Sequence, residues 1–229
     1  MKSILKKGIN YLPYLIGLCS GLYFITSKVI GIEFTHFPGD MADGRLNLYF
    51  LEHAHKFFTG VLDSFWDAPF FFPEKNTIAY SDNLLGSAPI YSFFRLIGLT
   101  TFTAYQCWYV SLVVLNYTCA YFFLNTVFKN RYSAVLGAMI FAFSIALFSQ
   151  IAHAQTFPRF AIPIALLYIF KFNKNLDPKY FFISVLMVVY QIYCGIYLGF
   201  MLIIPSAILI LLVLKHKLKS HKTLLFSKK

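Results

Sequence analysis

Acidic residues are scarce in this chain, with nine in 229, and charged residues of both signs make up only 13%. A soluble domain of this length would carry about twice that charged fraction. The four cysteines, Cys19, Cys107, Cys119 and Cys194, all lie in or beside apolar runs, and no pair has metal-ligand spacing. That excludes a disulfide framework or a thiolate zinc site and leaves small packing residues. No internal repeat of roughly 20–50 residues is present, and no low-complexity segment interrupts the chain. No basic stretch interleaved with aromatics lies on a soluble segment, which excludes nucleic-acid binding despite the net charge of +11.

What is abundant is apolar: 59% hydrophobic residues, 20% aromatics and a mean hydropathy of +0.65. This composition specifies an all-α integral membrane protein with interfacial aromatic rings and membrane lipid as its surroundings. The lysines occur in short tracts flanking apolar runs, as orientation signals and anionic-lipid contacts do. Lys2, Lys6 and Lys7 precede an apolar run from Ile9 to Ile32. That run exceeds a signal-peptide core and lacks a small-residue cleavage site, and Leu18 before Cys19 does not fit a lipoprotein signal. It is expected to remain as a first span.

Further spans are expected at about Thr103–Phe128, Ser133–Ile151 and Pro158–Phe172. Tyr180 to Leu214 is one apolar run of 35 residues. As a single helix it would be roughly 52 Å long, well beyond the bilayer core. Gly195 and Gly199 near its middle suggest a split into Tyr180–Tyr193 and Tyr197–Leu214. With about six spans, Lys2/Lys6/Lys7, Lys129/Arg131, Lys171/Lys174/Lys179 and the lysine tail from Lys215 all fall on one face. The positive-inside rule makes that face cytoplasmic, giving an N-in/C-in topology in the cell (inner) membrane. The expected organisation is one membrane domain, 1–229, with residues 33–102 as a large first extracytoplasmic loop containing interfacial helices.

Eight of the nine acids lie in that loop, between Glu33 and Asp82. Asp40 and Asp43 stand three residues apart, just before apolar positions Leu46, Tyr49, Phe50, His53, Phe57 and Val61. That spacing predicts a surface helix with those residues facing the membrane and Asn47, His55 and Lys56 off that face. Asp40 can be the helix cap, with Asp43 completing a near capping box. Equally, the two can form a carboxylate pair at an outward-facing cavity, one as general base or both holding a divalent cation. An EF-hand does not fit, since Gly39 and Phe50 fall where acidic ligands are required. Arg45 can contact a phosphate, pair with Asp43 or meet a lipid headgroup. His53 and His55, two apart on a helix, cannot share an ion. His153, Gln155 and Arg159, flanking the third and fourth spans, either line the same pocket as Asp40 or are ordinary loop polarity. Asp67 and Asp82 read as turn or cap residues.

Gly39-Asp40, Leu51-Glu-His53, Phe65-Trp-Asp-Ala-Pro-Phe-Phe-Phe-Pro73 and Asn76-Thr-Ile-Ala-Tyr-Ser-Asp-Asn-Leu-Leu-Gly86 together resemble a group of bacterial polytopic membrane proteins similar to C-type glycosyltransferases, the GT-C fold. Ile140-Phe-Ala-Phe143 and His153-Ala-Gln155 extend the resemblance over nearly the whole chain. It implies an outward-facing active site below the first loop, a polyprenyl-phosphate-linked sugar donor and a catalytic loop acid. Asp40 matches that acid, and Asp43 follows as a second. A divalent metal is used by some such enzymes and not by others. C-type enzymes have about twice as many spans, so the chain is expected to be an N-terminal half, a truncated product or a reduced relative, with a partner subunit supplying further helices. The expected function is a membrane glycosyltransferase or its N-terminal half. The alternatives are a non-catalytic membrane subunit or pseudoenzyme, and a lipid or solute transporter, although the span interiors carry few ionisable groups.

Overall fold

The computed structural model describes residues 2–226, with side chains placed from 11 to 217. Among these, all regular structure is helical. The helices are α1 (Lys2–Ile25, prolonged by a π-helical turn Thr26–Ile30), α2 (Asp43–Phe58), α3 (Ala88–Leu96), α4 (Thr101–Phe128) and α5 (Arg131–Phe143). They continue with the single turn α6 (Ile145–Phe148), α7 (Ala161–Asn175), α8 (Pro178–Cys194) and α9 (Ile196–Phe226). Short 3₁₀ turns lie at Thr77–Tyr80 and Ala154–Thr156. The side chains of Lys2, Lys6 and Lys7, and those of the tail beyond Lys217, lie outside the described residues.

Four stretches are long and apolar enough to cross a membrane: Tyr11–Ile30, Thr101–Phe128, Arg131–Phe148 and Ile196–Lys217. The chain therefore has the build of a multi-pass membrane protein. The helices in the regions of the expected fourth and fifth spans, α7 with 15 residues and α8 with 17, are shorter. At 1.5 Å per residue they reach about 22 and 26 Å, under a core of ~30 Å. The expected third span is not one continuous helix. α5 ends at Phe143, and Ser144 turns extended and accepts a hydrogen bond from the Leu147 N–H to start α6. The long apolar run does break at Gly195, where expected.

The helix pairs are set by local chemistry. The Thr100 hydroxyl caps α4, Asn130 caps α5 and Asp177 caps α8, which opens with Pro178. Only Lys129 and Asn130 join α4 to α5, with Lys129 left-handed, and only Leu176 and Asp177 join α7 to α8. α4 is the central helix. It buries Tyr105, Trp108, Tyr109, Leu112, Asn116, Tyr117 and Ala120, and it packs against α1, α3, α5 and α7. α1 approaches closely through Gly17 and Gly21, four apart. A methyl group at these positions would collide with the Tyr117 hydroxyl and the Phe143 ring, the small-residue packing that membrane helices use.

Of the residues expected to face the membrane, Phe50 and His53 are instead buried in the protein, whereas Leu46 and Phe57 are exposed and Val61 lies beyond the helix. Asn47, expected off that face, is buried together with Gly44, Leu48, Leu51 and Ala54. Asn47 points inward because it has polar partners there, described below. His53 bonds the Phe65 carbonyl at 2.8 Å and His55 the Ser92 hydroxyl at 2.9 Å, so the two histidines diverge.

α2 is held to α3 by Glu52. Its carboxylate accepts from the Tyr91 hydroxyl (2.6 Å), from Arg95 Nε (3.1 Å) and from Arg95 Nη2 (3.3 Å), while Arg95 Nη1 donates to the Leu99 carbonyl (2.6 Å). Burial alone would push this carboxyl up, but the Tyr91 and Arg95 hydrogen bonds outweigh it and hold it below the usual glutamate range. Because the folded-state pKa is depressed, the group stabilises the fold at neutral pH, and that contribution is lost as pH falls through the depressed value. Glu52→Gln is expected to cost about 1–3 kcal/mol, read as a lower thermal unfolding midpoint in detergent at pH 7. The gap between variant and wild type should close as the pH is lowered toward 3.

Candidate functional site

The chain leaving α1 turns through Gly39 and Asp40 before α2 begins. Asp40 Oδ1 accepts from the N–H groups of Ala42 (3.1 Å) and Gly44 (2.9 Å). The Gly44 bond contributes most to holding the Asp40 carboxyl below the usual aspartate range. The N-cap residue of α2 is Ala42 rather than the expected Asp40, which lies two residues earlier and reaches the first turn through the Gly44 N–H. Asp43 is the first residue of that helix and does not complete a capping box. Its Oδ2 instead lies 3.0 Å from Nδ1 of His153, which precedes the Ala154–Thr156 turn. The two side chains are 49% and 47% exposed, so the pair is open to solvent.

One turn further on, Asn47 Nδ2 donates to the Asp43 carbonyl (2.8 Å), to Gln155 Oε1 (3.3 Å) and to the Ala152 carbonyl (3.4 Å). The first turn of α2 is therefore docked on the bend at 152–155, more than a hundred residues away in sequence. Asp40, Asp43, His153 and Gln155 belong to one locality. Arg45 is exposed and pairs with neither aspartate. It lines a separate groove of about 510 Å³ with Phe37, Met41, Leu48, Tyr49, Glu52, Thr101 and Phe102.

Arg159 stands at the root of the same bend. Its Nε donates to the Thr156 carbonyl (3.0 Å), its N–H to Asn116 Oδ1 (3.2 Å), and its guanidinium lies 5.8 Å from the Phe141 ring centre. Among the described residues no carboxylate pairs with it, and no hydrogen bond joins it to Asp40 or Asp43. Between Arg159 and the Asp40 loop lie two α4 side chains that the sequence reading passed over, Tyr105 and Tyr109. Both are fully buried, and neither hydroxyl has a hydrogen-bond partner among the described residues. Phe37 stacks on Tyr105 (4.9 Å, 14°), and Phe157 lies 4.4 Å from Tyr109.

Other polar residues of α4 and α8 anchor the irregular segments. Gln106 Nε2 donates to the carbonyls of Phe34 (2.9 Å) and His36 (2.7 Å). Asn116 Nδ2 donates to Phe157 (2.7 Å), and Gln191 Nε2 to Pro158 (2.7 Å). The signal for them was present as amides inside otherwise apolar runs, which face protein or a cavity rather than lipid.

Asp82 closes the far side. Its carboxylate accepts from the Ile196 N–H and so caps α9 across the Gly195 break. Gly86 N–H donates to the Tyr193 carbonyl at 2.8 Å. Gly195 faces the Gln155 carbonyl so closely that an added methyl would lie 2.6 Å from it. The bend carrying His153 and Gln155 is thus clamped between α2, α4 and the α8–α9 junction.

A divalent cation does not find a protein-built site here. Among the described residues no three His, Cys, Asp or Glu side chains group as ligands. One Asp40 oxygen already accepts two backbone N–H groups, and Asp43 has only His153 beside it. What the site offers is proton chemistry: a carboxylate against one imidazole nitrogen, with the other nitrogen left for a substrate.

Two α4 substitutions separate the load-bearing amide from the unpartnered phenol. Asn116→Leu removes one hydrogen bond from each of the Phe157 carbonyl and the Arg159 N–H, which remain bonded to each other at 2.8 Å, and should cost about 1–3 kcal/mol in all. Tyr109→Phe removes a hydroxyl with no hydrogen-bond partner among the described residues and should be neutral or slightly stabilising. Unfolding midpoints of both variants in detergent check this contrast.

No family model, curated protein or solved structure matches the chain.

Proposed function

We propose that the chain is the membrane-embedded part of a glycosyltransferase that takes a sugar from a polyprenyl-phosphate-linked donor, acting on the face opposite its lysine-rich turns. The observation that carries this reading is the 3.0 Å Asp43–His153 pair, formed by residues from the first loop and from the distant bend. Asp43 Oδ2 fixes the imidazole through Nδ1, leaving Nε2 to accept a proton. In this reading Nε2 takes the proton of an acceptor hydroxyl as its oxygen bonds to the anomeric carbon. The bond from that carbon to the donor phosphate breaks, and the lipid phosphate leaves. Arg159, a cation without a carboxylate partner, and Arg45, at the mouth of the apolar groove, offset the phosphate charge.

The base is thereby assigned to the Asp43–His153 pair rather than to Asp40. The Asp40 carboxyl is committed to the helix end, and its depressed pKa makes it a poor proton acceptor. Asp40 acts by holding the first turn of α2, and with it Asp43, in place.

The six-span N-in/C-in topology belongs to the same proposal. α1, α4, α5, α7, α8 and α9 follow one another through the tight turns at 129–130 and 176–177 on one side and, on the other, two long connections and the one-residue break at Gly195. A reporter fused near Gly60 should report the extracytoplasmic side, and a cytoplasmic signal there overturns the topology.

Turnover is tested by reconstituting the chain with a radiolabelled polyprenyl-phosphate sugar and measuring sugar transfer. His153→Ala and Asp43→Asn should each lower the rate by at least about a hundredfold, the usual contribution of a general base, with unchanged expression and unfolding midpoint. Asp40→Asn, which keeps an acceptor oxygen for the Gly44 N–H, should retain most activity. Wild-type rates in Asp43→Asn would sink the assignment.

A non-catalytic or partner-dependent subunit is the second reading, favoured by the half-exposure of Asp43 and His153. A lone catalytic pair that open to water would hydrolyse an activated donor. Turnover that appears only when a partner covers the pair distinguishes this case.

A further inference from the structure

α3 is inverted relative to a helix at a water-exposed surface, which turns its polar side outward. Ala88, Tyr91, Ser92 and Arg95 face the protein, while Pro89, Phe93, Leu96 and the C-cap residue Ile97 face away from it. Both sets keep helical spacing, so they are opposite stripes of one short helix. The outward stripe is wholly apolar, with Phe93 57%, Leu96 68% and Ile97 58% exposed. Every polar side chain of α3 lies on the inward stripe and has its partner there. Tyr91 and Arg95 bond Glu52, Arg95 Nη1 also donates to the Leu99 carbonyl, and the Ser92 hydroxyl bonds His55 Nδ1.

We propose that the outward face of α3 is sunk among the lipid acyl chains of the leaflet at the N-terminal end of α4. Continuity with a candidate span decides the occupant. Only residues 97–100 separate α3 from α4, and they are tied down. Ile97 N–H donates to the Phe93 carbonyl (3.2 Å), Gly98 N–H to Arg95 (3.0 Å) and Leu99 N–H to Phe94 (3.2 Å), and Thr100 caps α4. α3 is therefore held where α4 enters the bilayer. Phe102, in the first turn of α4, is 61% exposed, so apolar side chains are presented on both sides of this connection. With nine residues α3 is roughly 14 Å long, too short to cross a core of ~30 Å, and rests in one leaflet. This placement holds whichever reaction the Asp43–His153 pair performs.

The chemistry of the face fits acyl chains rather than a headgroup or a polar partner. The end of α2 adds Phe58, 43% exposed, and the two helices leave a shallow cleft of about 340 Å³ lined by Phe58, Pro89, Ser92, Phe93 and Leu96. Among the described residues no charged side chain lines this cleft, and its one hydroxyl, that of Ser92, is already bonded to His55. Behind the helix, all three guanidinium nitrogens of Arg95 have acceptors inside the protein. A guanidinium beside water needs none of them. Next to hydrocarbon, a cation must turn inward and be paired with a carboxylate or backbone carbonyls. The apolar stripe outside and the paired charge inside thus point to the same surroundings.

The experiment places a tryptophan on this face and measures what quenches it. In a Trp66→Phe background the fully buried Trp108 remains as a constant signal. The full chain is prepared with Leu96→Trp, with Phe93→Trp or, as a reference, with Lys75→Trp in the exposed Glu74-Lys75-Asn76 segment. Each is reconstituted in phosphatidylcholine vesicles, with or without bromine on the acyl chains, and titrated with iodide present on both sides of the membrane. Leu96→Trp and Phe93→Trp should each lose emission to the brominated lipid, keep it in iodide and show a blue-shifted maximum. Lys75→Trp should lose emission to iodide and keep it in brominated lipid. Either α3 variant suffices where the other fails to fold. The proposal is overturned if iodide quenches the α3 tryptophans, or if bromine quenches them no more than it quenches Lys75→Trp. It is equally overturned if neither agent reaches them, which would mean that a protein partner or a second copy of the chain covers the face.

Discussion

The structure depends on how the carbonyls of irregular chain are satisfied at one end of an apolar helix bundle. Three non-helical stretches meet there: the loop before α2, the loop before α3 and the bend between α6 and α7. In a bilayer, or at its edge, each buried carbonyl left alone costs on the order of 1–3 kcal/mol. α4 meets much of that need with polar side chains on several sides of the helix. Gln106 takes the carbonyls of Phe34 and His36, Trp108 Nε1 takes Ser87, and Asn116 takes Phe157 while accepting from Arg159. α8 adds Gln191 to Pro158. These few side chains let unrelated segments share one surface without forming a sheet or a longer helix.

The candidate site follows from that anchoring. Asp43 and His153 are 110 residues apart, and neither sits on a helix that packs along the other's. Gln106 fixes the loop leading into α2, and Asn116 fixes the bend leading out of His153. Asn47 then bridges the two, with its amide shared among Asp43, Ala152 and Gln155. A carboxylate–imidazole pair at 3.0 Å is thereby placed by groups that never touch it. Asp82 and Gly195 do the same from the α8–α9 side, because the capped break gives the Gln155 backbone a surface free of side chain to rest on.

Much of this was legible in the sequence, but unevenly. Length and hydropathy located most of the helices, and the 35-residue run breaks at Gly195, near the middle where two glycines lie. Asn130 and Asp177 could be read as caps beside short basic turns. The inward face of α2 was not legible. Leu46, Tyr49, Phe50 and Phe57 keep helical spacing, but so do Leu48, Leu51 and Ala54, and in a protein bordered by lipid an apolar residue does not declare which side it faces. Asn47 decided the matter through partners from residue 152 onward, which no local pattern carries. The interruption at Ser144 was hidden for a similar reason: serine is neutral enough to continue an apolar run and also caps well enough to end it. Tyr105 and Tyr109 looked like two more aromatics in a chain already rich in them.

The two ends of the bundle are unequal for a reason that lies in connection length. At one end the helices turn back within two residues, Lys129–Asn130 and Leu176–Asp177, each closed by its own cap. Such turns leave no free backbone and little room for a cleft between elements, and only side chains reach beyond them. At the other end α8 and α9 meet at Gly195, but the remaining connections are long and run from 31 to 42, from 59 to 87 and from 144 to 160. They bring carbonyls that must be paired and six of the nine acids of the chain. Groups from distant parts of the sequence can be brought face to face only where the chain has slack to be folded back. Proton chemistry therefore has a place at the long-connection end. At the tight-turn end only side chains project beyond the turns, Lys129 among them.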